Sequence, residues 1–174
     1  EIVAGSGRTT ETILAFEKDN IGKYFIVDLP PALYLNYIRL KTNFPQKKIK
    51  VANNINNYEE MKKFIENYDV IFLLPHQLDL LKKNESNIQI FLAIDCLHEM
   101  DKKSIKHYMN YANNLSEYFY FKIWNETHVP YAFNNYLSAS DEKSYHINPN
   151  WIREFKNQCI FPANYFDFCF KIKN

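Results

Sequence analysis

Two of the chain's three glycines stand together in its opening run, Glu1-Ile2-Val3-Ala4-Gly5-Ser6-Gly7. Glycine lets a tight turn bring main-chain N–H groups against a ligand, so a chain this sparing of glycine points to a cofactor loop there. Asp28 ends the next predicted strand, where a carboxylate can accept both hydroxyls of a ribose. The pair implies a nucleoside cofactor. A dinucleotide fingerprint asks for a third glycine three residues after the second, and that position is Thr10. Glu1, at the end of the first strand, is an acid suited to the neighbourhood of an ammonium or sulfonium group. This favours S-adenosylmethionine over NAD.

Strands and helices must hold these residues, and the chain alternates short β-rich runs with helix-period segments. That is the pattern of an α/β domain with a mostly parallel, doubly wound, Rossmann-like sheet. In such a sheet the ligand lies beyond the carboxyl ends of the strands. The residues there are 1–7, Asp28, 75–77, 95–100 and 122–128. A helix is predicted over 10–18, with Ile13, Leu14 and Phe16 inward, then a strand over 23–27. Pro30 and Pro31 suit a helix start, and Leu33, Tyr37, Leu40 and Phe44 follow at helical spacing. Residues 49–52 read as a short extra strand. Asn57 with Glu60 resembles a capping box ahead of the stripe Met61, Phe64, Ile65 and Tyr68. Residues 70–74 and 88–94 are continuous apolar runs, as in central strands buried on both faces. Ile105, Tyr108, Met109 and Ala112 mark a helix leading to a strand over 118–124. Residues 127–149 read as irregular and polar, 151–155 as a short helix, and 159–172 as an antiparallel strand pair around Pro162.

A length of 174 residues suits one domain with a full hydrophobic core. Because Glu1 already lies inside a strand, a native N-terminal part is expected to be missing. The net charge of +1 leaves no electrostatic footprint for nucleic acid or an anionic membrane. No apolar stretch approaches a membrane span. Thirteen Tyr and 14 Phe can stack on flat ligands, although core filling is the plainer use. Cys96, Cys159 and Cys169 are an odd number without metal-ligand spacing, which argues for reduced thiols in a cytoplasmic protein and for no metal site.

The opening run resembles the first motif of the class I S-adenosylmethionine-dependent methyltransferases: acid, apolar, Gly, any, Gly, any, Gly. It departs at Val3, where that family has its first glycine. The stretch from Phe91 to Met100 is similar to the family's segment after the fourth strand, in which the chain runs into a Leu-His turn. With Val27-Asp28-Leu29-Pro30, Leu74-Pro75-His76-Gln77 and the late Tyr-Phe-Lys strand, the chain looks most like bacterial sugar O-methyltransferases. The resemblance implies methyl transfer to an acceptor oxygen, a sugar hydroxyl in surface-polysaccharide biosynthesis. It also implies that Glu1, Gly5 and Gly7 hold the methionine end, Asp28 the ribose, and His76 or Gln77 the adenine edge. Leu29, Ile94 and Asp95 complete the cofactor-binding set.

For such a transfer the protein supplies alignment and a proton acceptor. His98 is the candidate base, oriented by Glu99, and His128 could serve from the opposite lip. Capping of the next helix is the alternative for His98 and Glu99. His107 reads as a solvated helix residue and His146 as part of a substrate-selecting region. Trp124, Tyr131 and Tyr136 could form a sugar platform or pack in the core. The rival functions are an NAD(P)-dependent Rossmann oxidoreductase, which wants a Tyr-x-x-x-Lys pair in catalytic placement that is not evident, and a non-catalytic methyltransferase-like binding module.

Overall fold

The computed structural model describes residues 1–17, 20–82, 88–128, 136–138, 142–160 and 164–172. They fall into two compact units, Glu1–Ser86 and Asn87–Asn174.

In the first unit, Gly7 opens helix α1 (Arg8–Phe16), and strand β1 (Tyr24–Val27) follows. Helix α2 (Pro30–Asn43) starts on Pro30, whose fixed φ suits a first helical position. Then come β2 (Ile49–Val51), α3 (Tyr58–Asn67), β3 (Val70–Leu73), a 3₁₀ turn at Pro75–Gln77 and the short α4 (Leu78–Lys82). The three strands are parallel in the order β1-β3-β2, and Ile2 adds a parallel bridge to Val27. Strand β3 therefore inserts between the two strands that precede it. All four of its residues are buried, as its unbroken apolar run predicts. The Asn57 side chain accepts from the Glu60 N–H at 3.0 Å, while the Glu60 carboxylate reaches back to the N–H of Asn56. The capping box is thus offset by one residue on its return bond.

The second unit runs β4 (Ile88–Ile94), a 3₁₀ turn at Leu97–Glu99, α5 (Lys102–Leu115) and β5 (Ser116–Trp124). A hairpin of β6 (Glu126–His128) and β7 (Tyr136–Ser138), a 3₁₀ turn at Glu142–Tyr145, then β8 (Ile152–Gln158) and β9 (Tyr165–Lys171) complete it. The four-stranded sheet has the order β4-β5-β9-β8; β4 and β5 are parallel and the other pairings antiparallel. Its core is aromatic. Phe119, Phe121, Phe168 and Phe170 are buried, and Phe121 stacks on Phe168 with centroids 4.8 Å apart.

Five expectations need correction. Phe16 is 82% exposed rather than inward, and the C-terminal antiparallel pair is β8 with β9 rather than two strands within 159–172. Residues 151–155 begin a strand rather than a helix: β8 ends its sheet and is exposed along most of its length, so it shows no alternation, and Trp151 and Phe155 imitate a helical spacing. The described part of 127–149 is not wholly irregular, because Glu126, Thr127 and His128 pair with Ser138, Leu137 and Tyr136. Strand β4 is buried only at Phe91, Leu92 and Ala93, and Ile90 is exposed.

Helix α5 is capped by Asp101, whose carboxylate accepts from the N–H groups of Lys103 and Ser104 and from the Ser104 hydroxyl. Those bonds, the Ser104 N–H foremost, hold its pKa below the usual carboxylate range. Asp101→Ala should lower stability by about 1 kcal/mol at neutral pH. A lowered folded pKa means that the cap's contribution is complete above the ordinary carboxylate value and fades as pH falls through the lowered one. Thermal unfolding should therefore separate wild type from variant at pH 7, and the gap should close in strong acid.

Candidate functional site

The glycine turn of the first unit is tied to β1 on both sides of its backbone. The Val27 N–H donates to the Glu1 carbonyl at 2.9 Å and the Val3 N–H donates to the Val27 carbonyl at 2.7 Å. The buried Asp28 carboxylate then accepts from the Gly5 N–H at 2.8 Å and from the Leu29 N–H at 2.7 Å. Gly5 and Gly7 both adopt positive φ, at 54° and 76°. Val3 does so as well, at 49°. A β-branched residue there is strained, by roughly 1–3 kcal/mol, and it stands where the resembled motif carries glycine.

Gly7 is also a close-approach glycine. A Cβ on it would lie 2.1 Å from Oδ1 of Asn36 on α2. Asn36 is 1% exposed, and neither polar atom of its amide has a hydrogen-bond partner. Helix α1 has no side-chain cap, so its first N–H groups are available to a ligand. Thr10, the residue in place of a third glycine, is fully buried and donates to the Glu1 carboxylate at 2.6 Å. The Tyr24 hydroxyl donates to the same oxygen at 3.0 Å. Burial first, and then the Glu1 charge, pushes the Tyr24 pKa upward and keeps it a donor.

Leu29 is exposed at the mouth of α2 and His76 is exposed on the 3₁₀ turn. Gln77 needs correction. Its side chain is 4% exposed, accepts from the Leu74 N–H at 2.9 Å and donates to the Ala52 carbonyl at 2.8 Å. Both ends of the amide brace the unit internally, so Gln77 does not present an adenine edge.

In the second unit the strand ends bring together Asp95, His98, Trp124 and Tyr165. Trp124 and Tyr165 face each other across the β5–β9 register. His98 is 2% exposed, lies flat against Trp124 at 4.9 Å with an interplanar angle of 20°, and meets Tyr165 edge-on at 6.1 Å. Burial pulls its pKa below the ordinary histidine value, against a smaller upward pull from Asp95. Burial thus disfavours the protonated imidazole, and neither nitrogen makes a hydrogen bond. Nε2 is 3.5 Å from Oδ1 of Asp95, whose side chain is 53% exposed.

The carboxylate placed beside His98 is that of Asp95, while Glu99 is exposed. Asp95 takes a positive φ of 57°, with its N–H donating to the Lys122 carbonyl at 3.0 Å. Ile94, half-buried, ends β4 beside Lys122. The backbone of His128 lies in β6, but its side chain and Tyr131 fall outside what is described; His146 is exposed with φ 54°. Among the described residues no group of His, Cys, Asp and Glu could hold a metal, and no helix is long and apolar enough to cross a membrane.

Comparison with solved structures finds likenesses over 99% of the chain. LepI, solved in complex with S-adenosylmethionine, aligns with TM-score 0.62 at 9% identity. An O-methyltransferase family protein from Burkholderia thailandensis gives 0.58 at 12%, and an rRNA methylase from Escherichia coli gives 0.52 at 11%. The chain shares its overall fold with these proteins. It spans 42% of the length of LepI, 50% of the Burkholderia protein and 55% of the rRNA methylase. No family model matches the chain, and no curated protein sequence does. Within this fold the parts played by Asn36, Tyr24 and Tyr165 were not among the expectations from sequence. Asn36 was detectable as a polar residue three positions after Leu33 and four before Leu40, on the buried face of α2.

Two outcomes test the geometry. Gly5→Ala meets only backbone strain, about 1–2 kcal/mol, because nothing lies within 4 Å of its Cβ. Gly7→Ala adds a collision with Asn36, so its melting temperature should fall further; equal losses would remove the packing argument. For His98, a folded pKa below the unfolded one makes the unfolded chain bind the proton first, so stability is lost as pH drops below about 6.5. Between about pH 7 and pH 5, wild type should lose melting temperature faster than His98→Phe, and parallel curves would contradict the buried neutral state.

Proposed function

We propose that residues 1–174 act as one S-adenosylmethionine-dependent methyltransferase domain that modifies an acceptor oxygen, a sugar hydroxyl. The observation that carries the reading is the Gly5–Asp28 hydrogen bond, which joins a turn with glycines at positive φ to a buried strand-end acid. Neighbours that include a methyltransferase and a complex with S-adenosylmethionine support it.

The turn's chemistry fits a nucleoside bearing an amino-acid tail. A carboxylate oxygen has two lone pairs, so each oxygen of Asp28 keeps acceptor capacity for a ribose hydroxyl after taking one backbone N–H. The uncapped start of α1 suits a carboxylate. In this reading Glu1, Gly5, Gly7, Asp28 and Leu29 hold the cofactor, and His76 flanks the base. S-adenosylmethionine supplies a methyl group already activated by its sulfonium, so alignment dominates the protein's task. Asp95, exposed and pinned by its backbone, accepts the hydroxyl proton; His98 sets the position of Trp124; Glu99 and His128 contact the acceptor. One neighbour is an rRNA methylase, so the fold itself gives no support for excluding nucleic acid.

A second reading, a methyltransferase-like module without turnover, is favoured by Val3 at positive φ. Calorimetry with S-adenosylmethionine and S-adenosylhomocysteine separates the two. Binding of either, lost by at least tenfold in Asp28→Ala, about 1.4 kcal/mol, supports the transferase. Absence of binding by wild type, with no recovery in Val3→Gly, would sink it.

A further inference from the structure

Trp124 is a large aromatic residue left 41% exposed at the carboxyl end of β5, yet it is held from several sides. One face rests on the buried His98 ring, and Tyr165 stands perpendicular to it with centroids 6.0 Å apart. The Lys122 ammonium lies 5.3 Å from the Tyr165 ring centroid. Burial raises the Tyr165 pKa, hydrogen bonding to Asp95 adds to the rise, and Trp124 opposes it. An indole fixed in this way loses little freedom when something stacks on its exposed part, which is the condition for tight use of a flat contact.

The surroundings choose what stacks. Asp95 and Glu99 are both exposed, and both carboxylates act on Tyr165. They offer acceptors only, which suits a ring with several hydroxyl donors and repels a ring that bears its own carboxylate. The Lys122 ammonium is already engaged with the Tyr165 ring. His98 has no direct use in that contact. Its 2% exposed ring, whose nitrogens make no hydrogen bond, serves as the flat support beneath Trp124.

We infer that the exposed part of the Trp124 indole is the acceptor platform, that it takes a neutral polyhydroxylated ring rather than an acidic one, and that His98 is a positioning residue packed against it. The inference rests on the sugar hydroxyl reading above. It narrows the acceptor to neutral pyranosides and sets uronic acids aside.

The test follows the indole N–H signals of the whole chain by proton–nitrogen correlation NMR. There are two tryptophans; Trp151 is buried with its indole donating to Asn113, and Trp151→Phe assigns the pair. Titration with methyl glucopyranoside should move the Trp124 signal saturably. Methyl glucuronide should need about tenfold more ligand, from like-charge repulsion. His98→Phe, which keeps a flat ring under Trp124, should retain the response, while His98→Ala should weaken it severalfold. No Trp124 shift, equal responses to the two glycosides, or loss in His98→Phe as complete as in His98→Ala would each overturn the proposal. The readout needs neither cofactor nor turnover. A silent Trp124 in a protein that binds S-adenosylhomocysteine therefore defeats the platform alone, and a responsive Trp124 in one that does not defeats the transferase reading alone.

Discussion

A single buried carboxylate organises the first unit. Asp28 is 6% exposed, and a charge taken that far from water is costly unless it is hydrogen-bonded. It resolves the cost with two backbone donors, Gly5 from one direction and Leu29 from the other. Charge-assisted bonds of this kind are about twice as strong as neutral ones. The turn after Ile2 and the start of α2 are therefore fixed by the same side chain. Remove the carboxylate and the glycine turn and the proline-led helix lose their common anchor.

Around that anchor the turn stays under tension. Val3 holds a left-handed backbone that suits glycine, and the Asn36 amide is buried against Gly7 without a partner. Each is a cost, and each is local to the place where a ligand is expected. Opposing them is the network in which Thr10 and Tyr24 both donate to Glu1. A conformation of this kind persists only where the surrounding contacts over-determine it, and those contacts are the β1 pairing on one side and the Glu1 network on the other.

Much of this was legible from residue types. A strand-end acid is also a common turn residue. Its distance from the glycine pair made the Gly5, Gly7 and Asp28 relation legible, and a Gly5–Asp28 hydrogen bond joins the two. Continuous apolar runs located β3, and helical stripes located α3 and α5. What escaped was set by tertiary context. Strand β8 carries polar residues on both faces because it ends its sheet, so no alternation betrays it. Gln77 has the chemistry to read an adenine edge, but the nearby Leu74 N–H and Ala52 carbonyl claimed its amide first. The order of His98, Trp124 and Asp95 around the second site depends on which residue of β9 lies opposite Trp124, and a register set by a distant strand is invisible in local sequence.

Strand β8 has a further consequence for the molecule among its neighbours. As the last strand of its sheet, it presents backbone groups that could recruit a strand from another chain. Its ladder with β9 is interrupted between Arg153 and Phe155, and Arg153, Glu154 and Lys156 place charges of both signs along it. A break in register combined with alternating charge makes that edge a poor template for a foreign strand. The polar composition that hid β8 from sequence reading thus also weakens its edge as a template for further strand pairing.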